Sequence, residues 1–281
     1  LEFDFNITIV GLGLIGGSFA MALRDLKPKN LWAIDIDTDA METAERLNII
    51  DKGYTNPEVP LKKSDIVILC VYPELTIKFI KDNLKYFKSG AIITDTAGIK
   101  DKVINEINTF IREDIDFIGG HPMAGKESKG LQYASKDIFD GANYIITPIP
   151  KNNKHNVSII EDIATKIGCK SIIKIDPKTH DEVIAYTSQL PHVLAVALMN
   201  CNNIENVETF IGGSFRDTTR VAKINSKLWS ELLMENKENI LNQIDLFQAY
   251  ISSIKEAIEN ERMESLEDIF SEASSKKGEA I

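Results

Sequence analysis

ITIVGLGLIGGSF, residues 7–19, decides the fold. An apolar β-branched run at 6–10 leads directly into Gly11-x-Gly13-x-x-Gly16 and then into a segment of helical periodicity at 15–26. In that setting each glycine has its own reason to be there. Gly11 permits a tight turn, Gly13 lets backbone approach a pyrophosphate, and Gly16 allows the helix to pack closely on the strand. Free N–H groups at the helix start, from Gly13 through Leu14 and Ile15 to Gly16, then favour an anion. Asp35 ends the next predicted strand, 19 residues after Gly16. A carboxylate there accepts hydrogen bonds from both ribose hydroxyls and repels a 2′-phosphate. The residues that follow are Ile36, Asp37, Thr38 and Asp39, with no arginine, so the pattern favours NAD over NADP. A solvated turn aspartate is the competing reading of Asp35.

Outward from this turn, short apolar runs at 31–35, 65–71, 91–95, 117–119 and 144–147 read as strands. Helical periodicity at 40–47, 75–87 and 102–111 lies between them. Strands alternating with helices imply βαβ units and a mostly parallel sheet, an α/β fold. Ligands bind outside the carboxyl ends of such strands. Val71 with Tyr72-Pro73, and Thr96-Ala97-Gly98, are therefore expected to flank the cofactor, although ordinary loop sequence would look the same. Composition shifts at PIPKNNKHN, 148–156, and one more helix (158–167) and strand (171–175) follow. The expected division is 1–176 for dinucleotide binding and 177–281 for an all-helical part. In the latter, 181–200 reads as one helix, apolar on nearly all sides and expected to be buried all round. Ile240, Ile244, Phe247, Ile251, Ile254 and Ile258 recur at spacings of 4, 3, 4, 3 and 4, an a/d seam suited to packing on another helix. An intramolecular bundle and a two-fold homodimer both satisfy it.

At 281 residues the chain has room for about two domains. Its 32 Lys+Arg against 42 Asp+Glu leave a net charge of −10, the wrong sign for a general nucleic-acid binder. Cys70, Cys169 and Cys201 are odd in number and form no CxxC pair, so neither zinc nor a disulfide framework is expected, and the compartment reads as reducing. No apolar stretch reaches the roughly 20 residues a bilayer requires, and no basic-then-apolar leader pattern opens the sequence. A soluble cytoplasmic protein without a membrane partner is the expectation.

Of the four histidines, His121 stands out. Gly119-Gly120-His121-Pro122-Met123-Ala124-Gly125 continues from a strand end, and its glycines suggest a sharply turning loop close to a ligand. A histidine there suits a proton acceptor, with an unperturbed pKa of about 6.5. His155 sits in a polar run and reads as solvated, His180 at a helix start as locally polar, and His192, after Pro191, as a buried core residue on spacing alone. GGSFRDTTRVAK, 212–223, brings Arg216, Arg220 and Lys223 together beside Gly212-Gly213. Arginine grips carboxylates with two parallel hydrogen bonds, so a carboxylate substrate is one reading and a solvated basic face the other.

VGLGLIGGS (10–18), GGHPMAGKESKG (119–130), SQLPHVLAVAL (188–198), GGSFRDTTRVA (212–222) and LWSELLMENKENI (228–240) together resemble the prephenate dehydrogenase family. The resemblance implies a Rossmann-type domain followed by a helical domain that dimerises. It also implies NAD-dependent oxidative decarboxylation of prephenate to 4-hydroxyphenylpyruvate, toward tyrosine. By position, His121 resembles the family's catalytic histidine and Arg220 the arginine that holds a substrate carboxylate. His192, Ser188, Gly213 and Trp229 match positions around the substrate, and Glu127 and Asp217 match acids near the pocket mouth. Hydride loss, proton loss and CO2 loss together complete an aromatic ring, which requires orientation and one proton acceptor but no metal.

Two positions depart from the family pattern. Gly98 stands where many relatives carry a serine, and Gln189 where a second histidine often precedes LPH. The length also leaves no room for a fused chorismate mutase or ACT module, so tyrosine inhibition is expected to be competitive. Arogenate dehydrogenase is the nearest rival reading. A β-hydroxyacid dehydrogenase or a non-catalytic NAD sensor would leave the HPMAG and LPH blocks unexplained.

Overall fold

A computed structural model describes residues 3–280. Its centre is an eight-stranded sheet in the order β3-β2-β1-β4-β5-β6-β7-β8. β1 (Asn6–Val10), β2 (Asn30–Ile34), β3 (Lys52–Tyr54), β4 (Ile66–Leu69), β5 (Ile92–Asp95) and the first half of β6 (Asp116–Pro122) run parallel. This 3-2-1-4-5-6 order is the doubly wound Rossmann arrangement, whose strand order reverses beside β1. Helices α1 (Leu14–Asp25), α2 (Thr38–Arg46), α3 (Glu58–Leu61), α4 (Pro73–Asn83) and α5 (Asp101–Asn108) make the connections. Alternate residues serve opposite faces of each strand. Ile66 and Ile68 join the core of Ile7, Ile9, Phe19 and Leu23, while Val67 and Leu69 join that of Val10, Ile77, Ile93 and Val103. Covered on both faces, β4 is buried throughout, which is why its sequence is apolar without alternation. β3 has no such run. It is a three-residue edge strand, exposed to half-buried, and carries no periodic signal in the sequence.

β6 overturns one expectation. Instead of ending at Gly119 and turning into a loop, it leaves β5 after Ile118 and continues antiparallel to β7 (Asn143–Thr147), with Gly119 opposite Thr147 and His121 opposite Ile145. The two glycines serve crowding rather than turning. A Cβ on Gly119 would collide with the Thr147 hydroxyl, and one on Gly120 would lie 2.5 Å from the Tyr144 hydroxyl and 2.9 Å from the Asp95 carbonyl oxygen. α6 (Lys154–Lys166) then leads to β8 (Ser171–Lys174), parallel to β7.

All later described elements are helical: α7 (Pro177–Ile184), α8 (Leu190–Asn200), α9 (Gly213–Thr219), α10 (Ser226–Glu235), α11 (Lys237–Glu259) and α12 (Met263–Ala280). Asp176 caps α7 by accepting from the Thr179 N–H at 3.0 Å. The single helix expected over 181–200 is interrupted by a π-helical turn, Ala185–Gln189. Pro191 explains it. The ring has no N–H to donate and crowds the carbonyl one turn back, so the backbone widens there. Nor is α8 buried all round, because only Leu190 and Ala195 are buried within one chain. Along α11, Ile240 is buried whereas Ile251 and Ile258 are exposed, so the apolar seam runs from the chain's own core out to its surface.

The glycine turn is where sequence and packing are most tightly linked. Gly11 has φ +91°, a conformation L side chains rarely adopt, and a Cβ on Gly16 would fall onto the Gly11 carbonyl. Gly16→Ala is expected to lower stability in urea unfolding by about 1–3 kcal/mol, the usual range for overpacking. An unchanged midpoint would show that the turn relaxes freely.

Candidate active site

The first wall of the site is the glycine turn. α1 begins after Gly13 with no side chain capping its N-terminus and no acid in its first turn. Its leading N–H groups, those of Leu14 and Ile15 included, are thus left for an outside anion. A Cβ on Gly13 would meet nothing within 4 Å, which leaves open space over the turn. Asp35 follows β2 and holds the turn in place: its carboxylate accepts from the Leu12 N–H at 2.5 Å and the Asp37 N–H at 2.9 Å. Ile36 beside it is 98% exposed, an apolar flank with no core to join, and sequence periodicity does not single it out. Val71 packs toward Gly11, Pro73 opens α4, and the Thr96 N–H donates to the Leu69 carbonyl at 3.0 Å. These residues line the carboxyl ends of β1, β2, β4 and β5, and they suit a dinucleotide with its phosphates on α1.

The second wall is a buried polar cluster around His121. Asp95 at the end of β5 and Lys100 form an ion pair of 2.5 Å with both side chains fully buried. Asp95 also accepts from the Ala97 and Gly120 N–H groups at 3.1 and 3.2 Å. Asp181 on α7 accepts from the Lys100 and Asp101 N–H groups at 2.8 and 2.9 Å, which caps the first turn of α5. Its neighbour His180 is fully buried, with Nδ1 2.7 Å from Asp181 Oδ1 and Nε2 2.9 Å from His121 Nδ1. His180 is therefore not the local polar residue expected of a helix start; it spans the gap between the helical part and β6. Burial pushes the His121 pKa well below 6.5, and the neighbouring His180 and Lys100 charges push it further. His180 is also lowered by burial, with Asp181 pulling the other way.

The third wall comes from the helices. His192 is half-buried, donates from Nδ1 to the Ser188 carbonyl at 2.8 Å, and stacks on Trp229 with ring centroids 3.8 Å apart. It is not a core residue. Ser188 lies in the π turn, a distortion frequent at functional sites. Arg220 pairs with Glu127 at 2.5 Å, both exposed, joining the end of α9 to the loop after β6. Gly213 and Asp217 lie exposed on α9. Arg216 turns back to the Ile211 carbonyl at 3.1 Å and Lys223 is exposed, so of the three cations only Arg220 reaches the strand side. Gln189 is buried, accepting from Asn236 at 2.9 Å and donating to the Leu232 carbonyl at 3.3 Å. At Gly98 a Cβ would lie 3.4 Å from Leu232 and 3.9 Å from His121 Nε2, so that nitrogen lies next to the Gly98 backbone. Among the described residues no group of three or more His, Cys, Asp or Glu could hold a metal ion.

The family model for the nucleotide-binding domain of prephenate dehydrogenase matches residues 19–173, and that for its dimerization domain matches 176–272. Prephenate dehydrogenase of Bacillus subtilis is 31% identical over 268 residues, 93% of this chain and 72% of that protein. Cyclohexadienyl dehydrogenase of Zymomonas mobilis is 29% identical over 276 residues, 95% of this chain and 93% of that one. Among solved structures, prephenate dehydrogenase from Aquifex aeolicus in complex with hydroxyphenyl propionate and NAD+ matches with a TM-score of 0.89 at 30% identity, covering 98% of each chain.

The Asp95–Lys100 pair makes a direct stability test. Lys100→Met leaves a carboxylate buried without its cation, which typically costs about 3–5 kcal/mol. Adding Asp95→Leu to that variant is expected to recover part of the loss in urea unfolding. Full additivity of the two substitutions would mean that the charges do not interact.

Proposed function

Because the chain belongs to the prephenate dehydrogenase family, we propose that it catalyses the NAD-dependent oxidative decarboxylation of prephenate to 4-hydroxyphenylpyruvate, a step toward tyrosine. The observation that carries this reading is His121. Its Nδ1 is tied to the buried His180–Asp181 pair, which leaves Nε2, beside Gly98 in the loop after β5, as the nitrogen not engaged by that pair.

In this reading residues 1–176 hold the cofactor and 177–281 supply the substrate wall. Gly11, Gly13, Leu14, Ile15 and Gly16 hold the pyrophosphate, Asp35 the ribose, and Val71, Pro73 and Thr96 flank the nicotinamide end. NAD bound there supplies the hydride acceptor. His121 accepts the ring hydroxyl proton at Nε2. Arg220 grips a substrate carboxylate, which has to replace or share the exposed Glu127 contact, a pair worth about 0.2–1 kcal/mol. Trp229 and His192 supply a flat face for the ring, with Ser188, Gly213 and Asp217 around it. The carbinol carbon loses hydride, the hydroxyl proton passes to His121, the bond to the ring carboxylate breaks with its electrons entering the ring as CO2 leaves, and a proton returns to the phenolate oxygen to give the phenol. The aromatic product makes the step downhill.

Two copies complete the helical part. Phe210 and Met234 are 80% and 73% exposed, and Tyr250, Ile251 and Ile258 add to the apolar surface of a single chain. Exposed apolar area of this kind marks an interface, and a homodimer through α8–α12 covers it. Light scattering of the full chain is expected to give twice the mass of one chain; a single-chain mass would remove the dimer. No described helix is long and apolar enough to cross a membrane, and all three cysteines are free. A cytoplasmic placement is part of the same proposed reading.

The test is NADH formation followed by absorbance, with prephenate and arogenate each offered with NAD and NADP. Prephenate with NAD is the pair expected to react fastest. Preference for arogenate would leave the chemistry and change the substrate, and no turnover in any pairing would remove the enzyme reading. His121→Asn is expected to cut kcat by about 10²- to 10⁴-fold, the usual worth of a general base, with NAD binding kept. Near-normal turnover would remove His121 from the mechanism. Because the base works in its neutral form and its pKa is held well below 6.5, kcat is expected to stay level as pH falls through 6.5 and to drop only below it.

A further inference from the structure

Asp181, His180 and His121 form a single line of hydrogen bonds, and the chemistry of one end dictates the protonation of the other. Asp181 Oδ1 already accepts from the Lys100 N–H at 2.8 Å, and Oδ2 accepts from the Asp101 N–H at 2.9 Å. Each Asp181 oxygen thus accepts a backbone N–H, and a carboxylate, which only accepts, fits this set of partners. His180 Nδ1, 2.7 Å from Oδ1, therefore carries hydrogen and donates. With a neutral ring, its Nε2 then holds a lone pair, and His121 Nδ1, 2.9 Å away, is the donor to it. In neutral His121 the remaining nitrogen, Nε2, is left bare, and this is the one facing Gly98.

We propose that His180 is a positioning residue, which, anchored by Asp181, locks His121 as the Nδ1–H tautomer and so aims the Nε2 lone pair at the substrate hydroxyl. This rests on His121 being the base, but the tautomer is a property of the free protein. The lock also sets the ring plane, since Nδ1 is tied to a side chain with no exposed surface. Without it the ring is free to flip or to place its proton on Nε2, where it cannot accept another. The arrangement also suits the charged state that follows. Once Nε2 is protonated, Nδ1–H donates a charge-assisted bond to His180, which is stronger than the neutral one. Asp181, two hydrogen bonds away, sits on the side from which a carboxylate stabilises that cation. Gly98 adds no side-chain group to Nε2, so the orientation of the ring depends on the Nδ1 side.

Proton–nitrogen correlation NMR on the full chain, labelled with ¹⁵N in its histidine rings, reads the tautomer directly. There are four histidines, and His121→Asn identifies the signal of interest by deletion. The expected spectrum of the unsubstituted chain shows His121 protonated at Nδ1. In His180→Phe, which fills the space without accepting a hydrogen bond, the signal is expected to shift toward Nε2–H, and kcat to fall about 10²-fold with KM for substrate within about twofold. His180→Gln, whose carbonyl accepts from Nδ1, is expected to recover most of that loss. An Nε2–H ring at His121 in the unsubstituted chain overturns the proposal. So does an unchanged kcat in His180→Phe, or a loss that falls on KM alone. Should His180→Phe not fold, the spectrum of the unsubstituted chain decides by itself. A chain that oxidises neither prephenate nor arogenate would refute the proposed function while leaving the tautomer to be read.

Discussion

Two buried carboxylates converge on the start of α5, and the position of His121 follows from where they sit. Asp95, at the end of β5, takes Lys100 as its counter-ion and the Gly120 N–H as a hydrogen-bond partner, which fixes β6 one residue before the histidine. Asp181 accepts the two N–H groups that open α5 and so draws α7 onto the sheet. Neither carboxylate could be buried alone, since an isolated charge in an apolar interior costs far more than any one contact returns. Each is instead surrounded by donors from at least two elements. The helical part and the sheet therefore meet at a polar junction whose geometry is set by hydrogen bonds, not by apolar packing alone.

That junction governs the charge of the histidines as well. Burial opposes the protonation of His121, and the buried lysine beside it adds to that effect. Desolvation of this kind keeps the ring neutral through the physiological range, as the proposed base requires. Arg220 and Glu127, by contrast, sit exposed at the rim, where the pair is screened and exchange of one anion for another is cheap. Interior charges here hold geometry, and rim charges remain available.

The glycine turn, the parallel strands β1, β2, β4 and β5, and the place of Asp35 at the end of β2 were readable in the sequence, because each rests on a local rule: a φ that only glycine adopts easily, a continuous apolar run, an acid at a fixed distance. The errors lie where a distant residue decides the outcome. Gly119-Gly120 looks like a turn, and only the Tyr144 and Thr147 side chains opposite show that the glycines make room for a neighbouring strand. His180 looks like a helix-start residue beside Asp181, and only the folding of α7 onto β6 brings it to His121. The π turn was the one distant-looking feature with a local cause, Pro191, and could have been anticipated from the proline. α8 is apolar on nearly all sides, yet only Leu190 and Ala195 are buried, because apolar residues alone do not say what packs against each face.

The change of partner within β6 explains why His121, the base of the proposed reaction, sits on a strand and not on a loop. A parallel strand that simply ended at Gly119 would deliver the next residues into a loop, free to move by several ångströms. Continuing as an antiparallel partner of β7 holds the backbone of His121 opposite Ile145 in a hydrogen-bonded ladder while its Nε2 stands beside Gly98 in the loop after β5. Strand backbone fixes the Cα, His180 fixes the ring, and Gly98 places no side chain beside Nε2. A group that must meet a hydroxyl proton within hydrogen-bonding distance benefits more from that rigidity than from the reach of a loop.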